Sequence, residues 1–308
     1  MSSATHVPET TGHEDDLEAD DAWRTLRGCG PSFAVEAFRR FRYADGFSHS
    51  RALGLQICLA VVPLVVALVG LAGSVSGQDV ARVLRAVAIG LTPGVSRDVV
   101  AGTLDSSASG SARTALWIGL VSAVAVLTTA MAQVERGANR LYGIERDRPF
   151  VRRYARAVVM ALVAGLPALA GFLLLVGAGP GGDAVEEVYG VDDGVVTAVA
   201  LPLGALLLVT SVTALLRHGP RRVQPGWSWL GLGGLVVLLL WSGLTAAVVE
   251  YVELSASFTT VYGPLAVVVA LLLWGQLTSV AIYLGVAAAA QLEAVRAGVH
   301  HGARTDVT

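Results

Sequence analysis

Long runs of apolar residues alternate along the chain with short segments that hold most of the charge. Six runs approach or exceed the roughly 20 residues a helix needs to cross the hydrocarbon core of a bilayer. Their limits are about 52–73, 112–132, 157–178, 195–216, 227–249 and 264–290. No water reaches backbone groups there, so each run is predicted to be an α-helix. Gly, Ala and Ser recur in several runs and let helices approach closely. The predicted fold class is an all-α integral membrane protein with six transmembrane helices. The 264–290 run would be about 40 Å long as a helix. That exceeds a core of roughly 30 Å, so tilt or protrusion is expected.

The connections carry patterns of their own. In "QDVARVLRAVAIGLTPG", Val80, Val83, Leu84, Val87, Ala88 and Leu91 repeat at helical spacing. Asp79 is a plausible N-cap, and Thr92-Pro93-Gly94 stops the helix. A second short helix is expected around Val95, Val99, Val100 and Leu104. Together they predict an external helical hairpin between the first and second spans, either a packed lid or a gate. Before the first span, Phe33, Ala37, Phe38 and Phe41 share one helical face flanked by Arg39, Arg40 and Arg42. This pattern predicts an interfacial helix. The expected organisation is a disordered acidic tail over 1–30, a membrane domain over 31–297 and a short tail over 298–308. Residues 1–22 hold seven acids and no apolar core of a signal peptide.

Charge sets the orientation. Only 15% of residues are charged, against about 25% in a soluble domain. Every positive side chain is arginine, and seven of them lie between Arg136 and Arg156. With Arg39, Arg40, Arg42 and Arg51, with Arg217, Arg221 and Arg222, and with Arg296 and Arg304, they fall on one side if all six runs span. The opposite connections hold Asp183, Glu186, Glu187, Asp192 and Asp193, then Glu250 and Glu253, without arginine. Only the connection between the first and second runs, with Arg82, Arg85, Arg97 and Arg113, blurs the contrast. Both termini are therefore expected in the cytoplasm of a cell membrane protein. The cationic block is expected to meet anionic headgroups there, with Arg146, Arg148, Arg152 and Arg153 as candidate lipid contacts. A net charge of −2 gives no reason to expect nucleic acid.

No motif for catalysis or metal binding is found: no GxSxG, P-loop or HExxH, and no set of paired Cys or His. Cys29 and Cys58 lie in unlike surroundings and predict no disulfide. No enzyme activity, cofactor or metal is expected. Polar residues inside or beside the spans are then the functional pointers. In the first span these are Gln56 and Pro63, whose missing N–H tends to kink a helix. The second span ends in a polar cluster of Thr128, Thr129, Gln133, Glu135, Asn139 and Arg140, with Glu135 and Asn139 four apart on one face. The sixth carries Gln276, Thr278 and Ser279 near its centre. Gln276 needs a partner, either Gln56 or a substrate. These residues are candidates for a transport path or for a structural polar clasp.

Three segments resemble the YihY/virulence factor BrkB family of bacterial inner-membrane proteins, once labelled ribonuclease BN. They are "RALGLQICLAVVPLVVALVGLAG" at 51–73, "ANRLYGIERDRPFVRRYARA" at 138–157 and "YGPLAVVVALLLWGQLTSVAIYLGVAAAAQLEA" at 262–294. The resemblance implies six membrane helices with cytoplasmic ends and an envelope function. The expected activity is transport or flipping of a lipid or other amphipathic molecule. The alternative is a non-transporting scaffold that holds anionic lipid or a partner. Self-association through the Gly-rich face Gly231–Leu235 is a further expectation.

Overall fold

A computed structural model describes residues 4–9, 18–30, 32–75, 77–91, 109–254 and 265–299. Its elements are α1 (Ala19–Cys29), α2 (Ser32–Tyr43), α3 (Gly46–Ser74), α4 (Gln78–Leu91), α5 (Ser109–Leu141), α6 (Phe150–Met160), a π-helical segment (Ala161–Gly165), α7 (Leu166–Tyr189), α8 (Asp193–His218), α9 (Trp227–Leu254) and α10 (Leu265–Arg296). Six helices are long and apolar enough to cross a membrane: Gly46–Ser74, Ser111–Leu141, Phe150–Ala178, Asp193–His218, Trp227–Val252 and Val268–Arg296. All six predicted runs are among them. Most of these helices extend beyond the apolar run, because a helix ends at its cap rather than at the membrane surface.

The spans pack in a ring. Helix α5 packs on α3, α3 on α10, α10 on α9, α9 on α8, and α8 on α7. At one end α4 bridges α3 and α7. At the other, arginine-rich end, α6 packs on α5. The closest seam is α3 against α5. A Cβ added to Gly70 would run into the Leu116 backbone, and one on Gly119 would sit 2.5 Å from the Ala67 nitrogen. Lipid tails are as apolar as leucine, so such close contact, rather than water exclusion, holds membrane helices together. Of the Gly-rich stretch in α9, Gly233 meets Leu216 and Ala289, and Gly234 meets Thr213 and Val209, all within the chain.

Two prolines behave differently. Pro63 lies inside α3, which continues helical on either side of it. Pro167 lies two residues past the end of the π segment. It has no N–H to return to the Val163 carbonyl four residues earlier, and the π turn lies over that position. The Ser211 hydroxyl of α8 donates to the adjacent Ala164 carbonyl.

The α4 helix fits the first half of the predicted hairpin. The residues of the second half, 95–104, lie outside the described residues, as do 1–3, 10–17 and 300–308 of the two expected tails. Of the tail expected to be disordered over 1–30, Ala19–Cys29 form the helix α1. A short N-terminal stretch is described, however. Val7 is fully buried, and its N–H donates to the Tyr142 carbonyl at 3.2 Å.

Candidate functional site

The arginine-rich end is built from six pieces of chain that meet around the last turns of α10. Here α1, α2 and α9 all pack on α10, so this helix end is enclosed on every side. Ala287 and Ala290 are fully buried, and so are Gln291 and Glu293, which point in different directions. Small alanines bring the neighbouring helices close, and the two polar side chains must then find internal partners.

Each does. Arg40 of α2, itself fully buried, donates from Nε to Gln291 Oε1 at 3.0 Å and from Nη1 to the carbonyls of Thr5 (2.7 Å) and Leu141 (3.1 Å). Burial pulls the Arg40 guanidinium down to about 10, partly opposed by Tyr142 and Glu293, so it stays protonated at neutral pH. On the other side, Glu293 accepts from the Tyr142 hydroxyl at 2.7 Å and pairs with Arg222 at 3.0 Å. The Arg222 guanidinium also covers the Tyr142 ring at 4.7 Å and donates to the Pro8 carbonyl at 3.0 Å. Burial, and then the Glu293 charge, hold the Tyr142 phenol well above its usual range.

A second cluster joins α5 to the connections beside it. Glu135, 1% exposed, pairs with Arg148 at 3.0 Å. Arg148 also donates to the carbonyls of Gly219 and Pro220, both at 3.2 Å. Asn139, fully buried, donates to Asp147 Oδ1 at 3.0 Å and accepts from the Arg221 N–H at 2.7 Å. Arg140 donates to the carbonyls of Ile144 (3.1 Å) and Glu145 (2.6 Å). The Glu135 and Glu293 pairs are charge contacts at short range rather than aligned hydrogen bonds. Such contacts depend on the exact placement of the helices that carry them.

The mid-membrane candidates are arranged otherwise. Helices α3 and α10 cross at Gly54 and Gly275, where a Cβ on Gly54 would lie 3.0 Å from the Gln276 Cα. The Cys58 thiol donates to the Leu271 carbonyl at 3.3 Å beside this crossing. Gln56 Oε1 is buried without a hydrogen bond, and none joins Gln56 to Gln276 among the described residues. Farther along, Phe172 meets Trp241 at 6.5 Å and Trp274 at 5.6 Å, an aromatic cluster joining α7 to α9 and α10. Among the described residues no group of three or more His, Cys, Asp or Glu side chains gathers to hold a metal.

A family model described as virulence factor BrkB matches residues 37–306. The chain belongs to this BrkB family. A curated relative, the ribonuclease-like protein YfkH of Bacillus subtilis, is 23% identical over 265 residues, covering 82% of this chain and 92% of YfkH. No solved structure matches. Of the candidate residues in this BrkB-family chain, Glu135, Asn139 and Arg140 sit together with Arg148, while Gln56, Pro63 and Gln276 stand apart on α3 and α10. Of the candidate lipid contacts, Arg146 and Arg152 are exposed. Arg148 is turned inward on Glu135, and Arg153 lies 4.0 Å from Asp147 with its guanidinium over Tyr154. Sequence reasoning missed Arg40, Tyr142, Gln291 and Glu293. The available signal was one acid and one amide following four alanines at the end of the last span.

Proposed function

We propose that this BrkB-family membrane protein moves a lipid or other amphipathic envelope molecule, with its arginine-rich end facing the cytoplasm and acting as the gate. One observation carries the reading. Ionisable side chains that are 0–1% exposed, Arg40, Glu135 and Glu293, tie helices of different pairs together at that end. Well-packed apolar side chains would join the same helices with less desolvation cost, so a buried ion pair is weak as glue. It suits a contact that must break and re-form. At the other end α4 bridges α3 and α7. Arginine on the gate side accords with the cytoplasmic excess of positive charge.

The test is reconstitution in liposomes with a fluorescent phospholipid, following its transfer between leaflets. Transfer above the protein-free rate, altered in Glu293→Gln and in Arg222→Gln, supports the gate. Transfer equal to the protein-free rate in wild type and in both variants overturns it.

A second reading is a non-transporting scaffold. It is favoured by the crossing at Gly54 and Gly275, which packs tightly beside Gln56 and Gln276, the candidates for a transport path or a polar clasp. Under that reading Gln56→Leu with Gln276→Leu alters stability and leaves lipid transfer at the protein-free rate.

A further inference from the structure

A groove runs along the chain where α6 passes into the π segment, against the last turns of α8, and its volume is 430 Å³. Small-molecule sites span about 300–1,000 Å³. The floor is Met160, Ala164 and Ala214, each 4% exposed or less. Two of these are alanine, and their small size opens the groove. The rim is Val159 and Val163, 56% and 53% exposed. Both belong to a stripe with Val151, Leu162 and Leu166 that is exposed along this span. An exposed apolar stripe on a membrane-crossing helix faces acyl chains.

One end of the groove is polar, closed by Arg156 and His218. Arg156 donates twice to the His218 carbonyl, from Nε at 3.1 Å and from Nη2 at 2.9 Å. It forms no ion pair among the described residues, and nearby Glu135 is engaged by Arg148. Arg217, adjacent to His218, lies over the Trp227 ring at 5.6 Å, likewise without a carboxylate. The mouth therefore presents positive charge, offset only in part by Glu135, at the membrane edge, above an apolar trough that opens toward lipid. A π turn in a long helix often marks a functional position.

We infer that the groove is a docking site for one phospholipid with an anionic headgroup. The phosphate lies at Arg156 and His218, and an acyl chain runs along Val159 and Val163. A free phosphate gains nothing from the apolar trough, and a zwitterionic lipid gains less from the mouth. This extends the proposed function by naming a cargo class and its docking position, and rests on that reading only for the link to transport.

The test uses the full chain in phosphatidylcholine vesicles. Trp227, whose ring lies 5.8 Å from His218, reports through quenching by brominated acyl chains, with Trp227→Phe subtracted. Brominated phosphatidylglycerol is expected to quench at a lower mole fraction than brominated phosphatidylcholine. Arg156→Gln should weaken that preference about five-fold, the worth of one basic side chain at an anionic surface. Ala214→Phe should abolish quenching by filling the floor. Val163→Phe on the exposed rim should do the same without disturbing the packed floor. Arg24→Gln, an exposed arginine of α1 outside the groove, should leave the preference unchanged. Equal quenching by the two lipids, or quenching indifferent to Val163→Phe, overturns the site. Relief of quenching by soluble glycerol phosphate assigns the mouth to free phosphate and also overturns it. Selective quenching without lipid transfer keeps the site and sinks only the transport reading. Transfer without headgroup preference does the reverse.

Discussion

Glu293→Ala tests whether the α10 end is held by charge. The carboxylate is fully buried, pairs with Arg222 at 3.0 Å and accepts from Tyr142 at 2.7 Å. Removing one partner of a buried pair costs about 3–5 kcal/mol, mostly from the charge left behind. Arg222 would keep the Pro8 carbonyl at 3.0 Å, the Val223 carbonyl at 3.2 Å and the Tyr142 ring. That favours the lower end, about 3 kcal/mol. For a chain of this size 1 kcal/mol is about 2 °C of Tm, so a fall of about 6 °C is expected. The assay is loss of the monodisperse peak in detergent after stepwise heating. Glu293→Gln keeps an acceptor for Tyr142 but strands the same Arg222 charge, so it should lose most of that, less about 1 kcal/mol for the hydrogen bond retained. Arg222→Met with Glu293→Gln should be more stable than the sum of the single losses implies, because neither charge is then stranded. A fall under about 2 °C for Glu293→Ala, or strict additivity of the pair, would refute the argument.

Other outcomes follow from neighbouring contacts. Arg40→Ala should loosen the N-terminal stretch, seen as faster protease cleavage ahead of α1, and Arg40→Lys should not restore it, because lysine cannot bridge Gln291 and two carbonyls in one plane. Gly119→Val should separate α3 from α5 and lower the monodisperse yield sharply, whereas Gly243→Ala, with no atom within 4 Å, should be silent. For Tyr142 the raised folded pKa means the unfolded chain ionises first as pH climbs. Its contribution is present below about pH 10 and is lost above it, so Tyr142→Phe should flatten the alkaline fall in stability.

The membrane helices were legible because hydropathy over some twenty residues is a strong signal, and the α4 helix was legible from its period. The helix ends were less so. Helix α10 runs on through Gln291, Glu293 and Arg296, past the apolar run, because α1, α2 and α9 cover its last turns. Glu135 and Asn139 stood out as polar residues leaving a span, but their partners, Arg148, Asp147 and Arg221, come from connections whose course no local pattern fixes. Gln56 and Gln276 drew attention by polarity alone. The glycines beside them, Gly54 and Gly275, carried the geometric information, and only the register of α3 against α10 reveals that they face each other.

Thr5, Val7 and Pro8 are fastened by Arg40, Tyr142 and Arg222. The last of these is secured by Glu293, near the end of the final span. During synthesis the early stretch therefore has no complete berth until almost 300 residues have been made. It must wait unfastened while five helices insert. Docking of this strand is then a late checkpoint of biogenesis, and a bulky fusion placed ahead of it would disturb maturation before it disturbed any single helix.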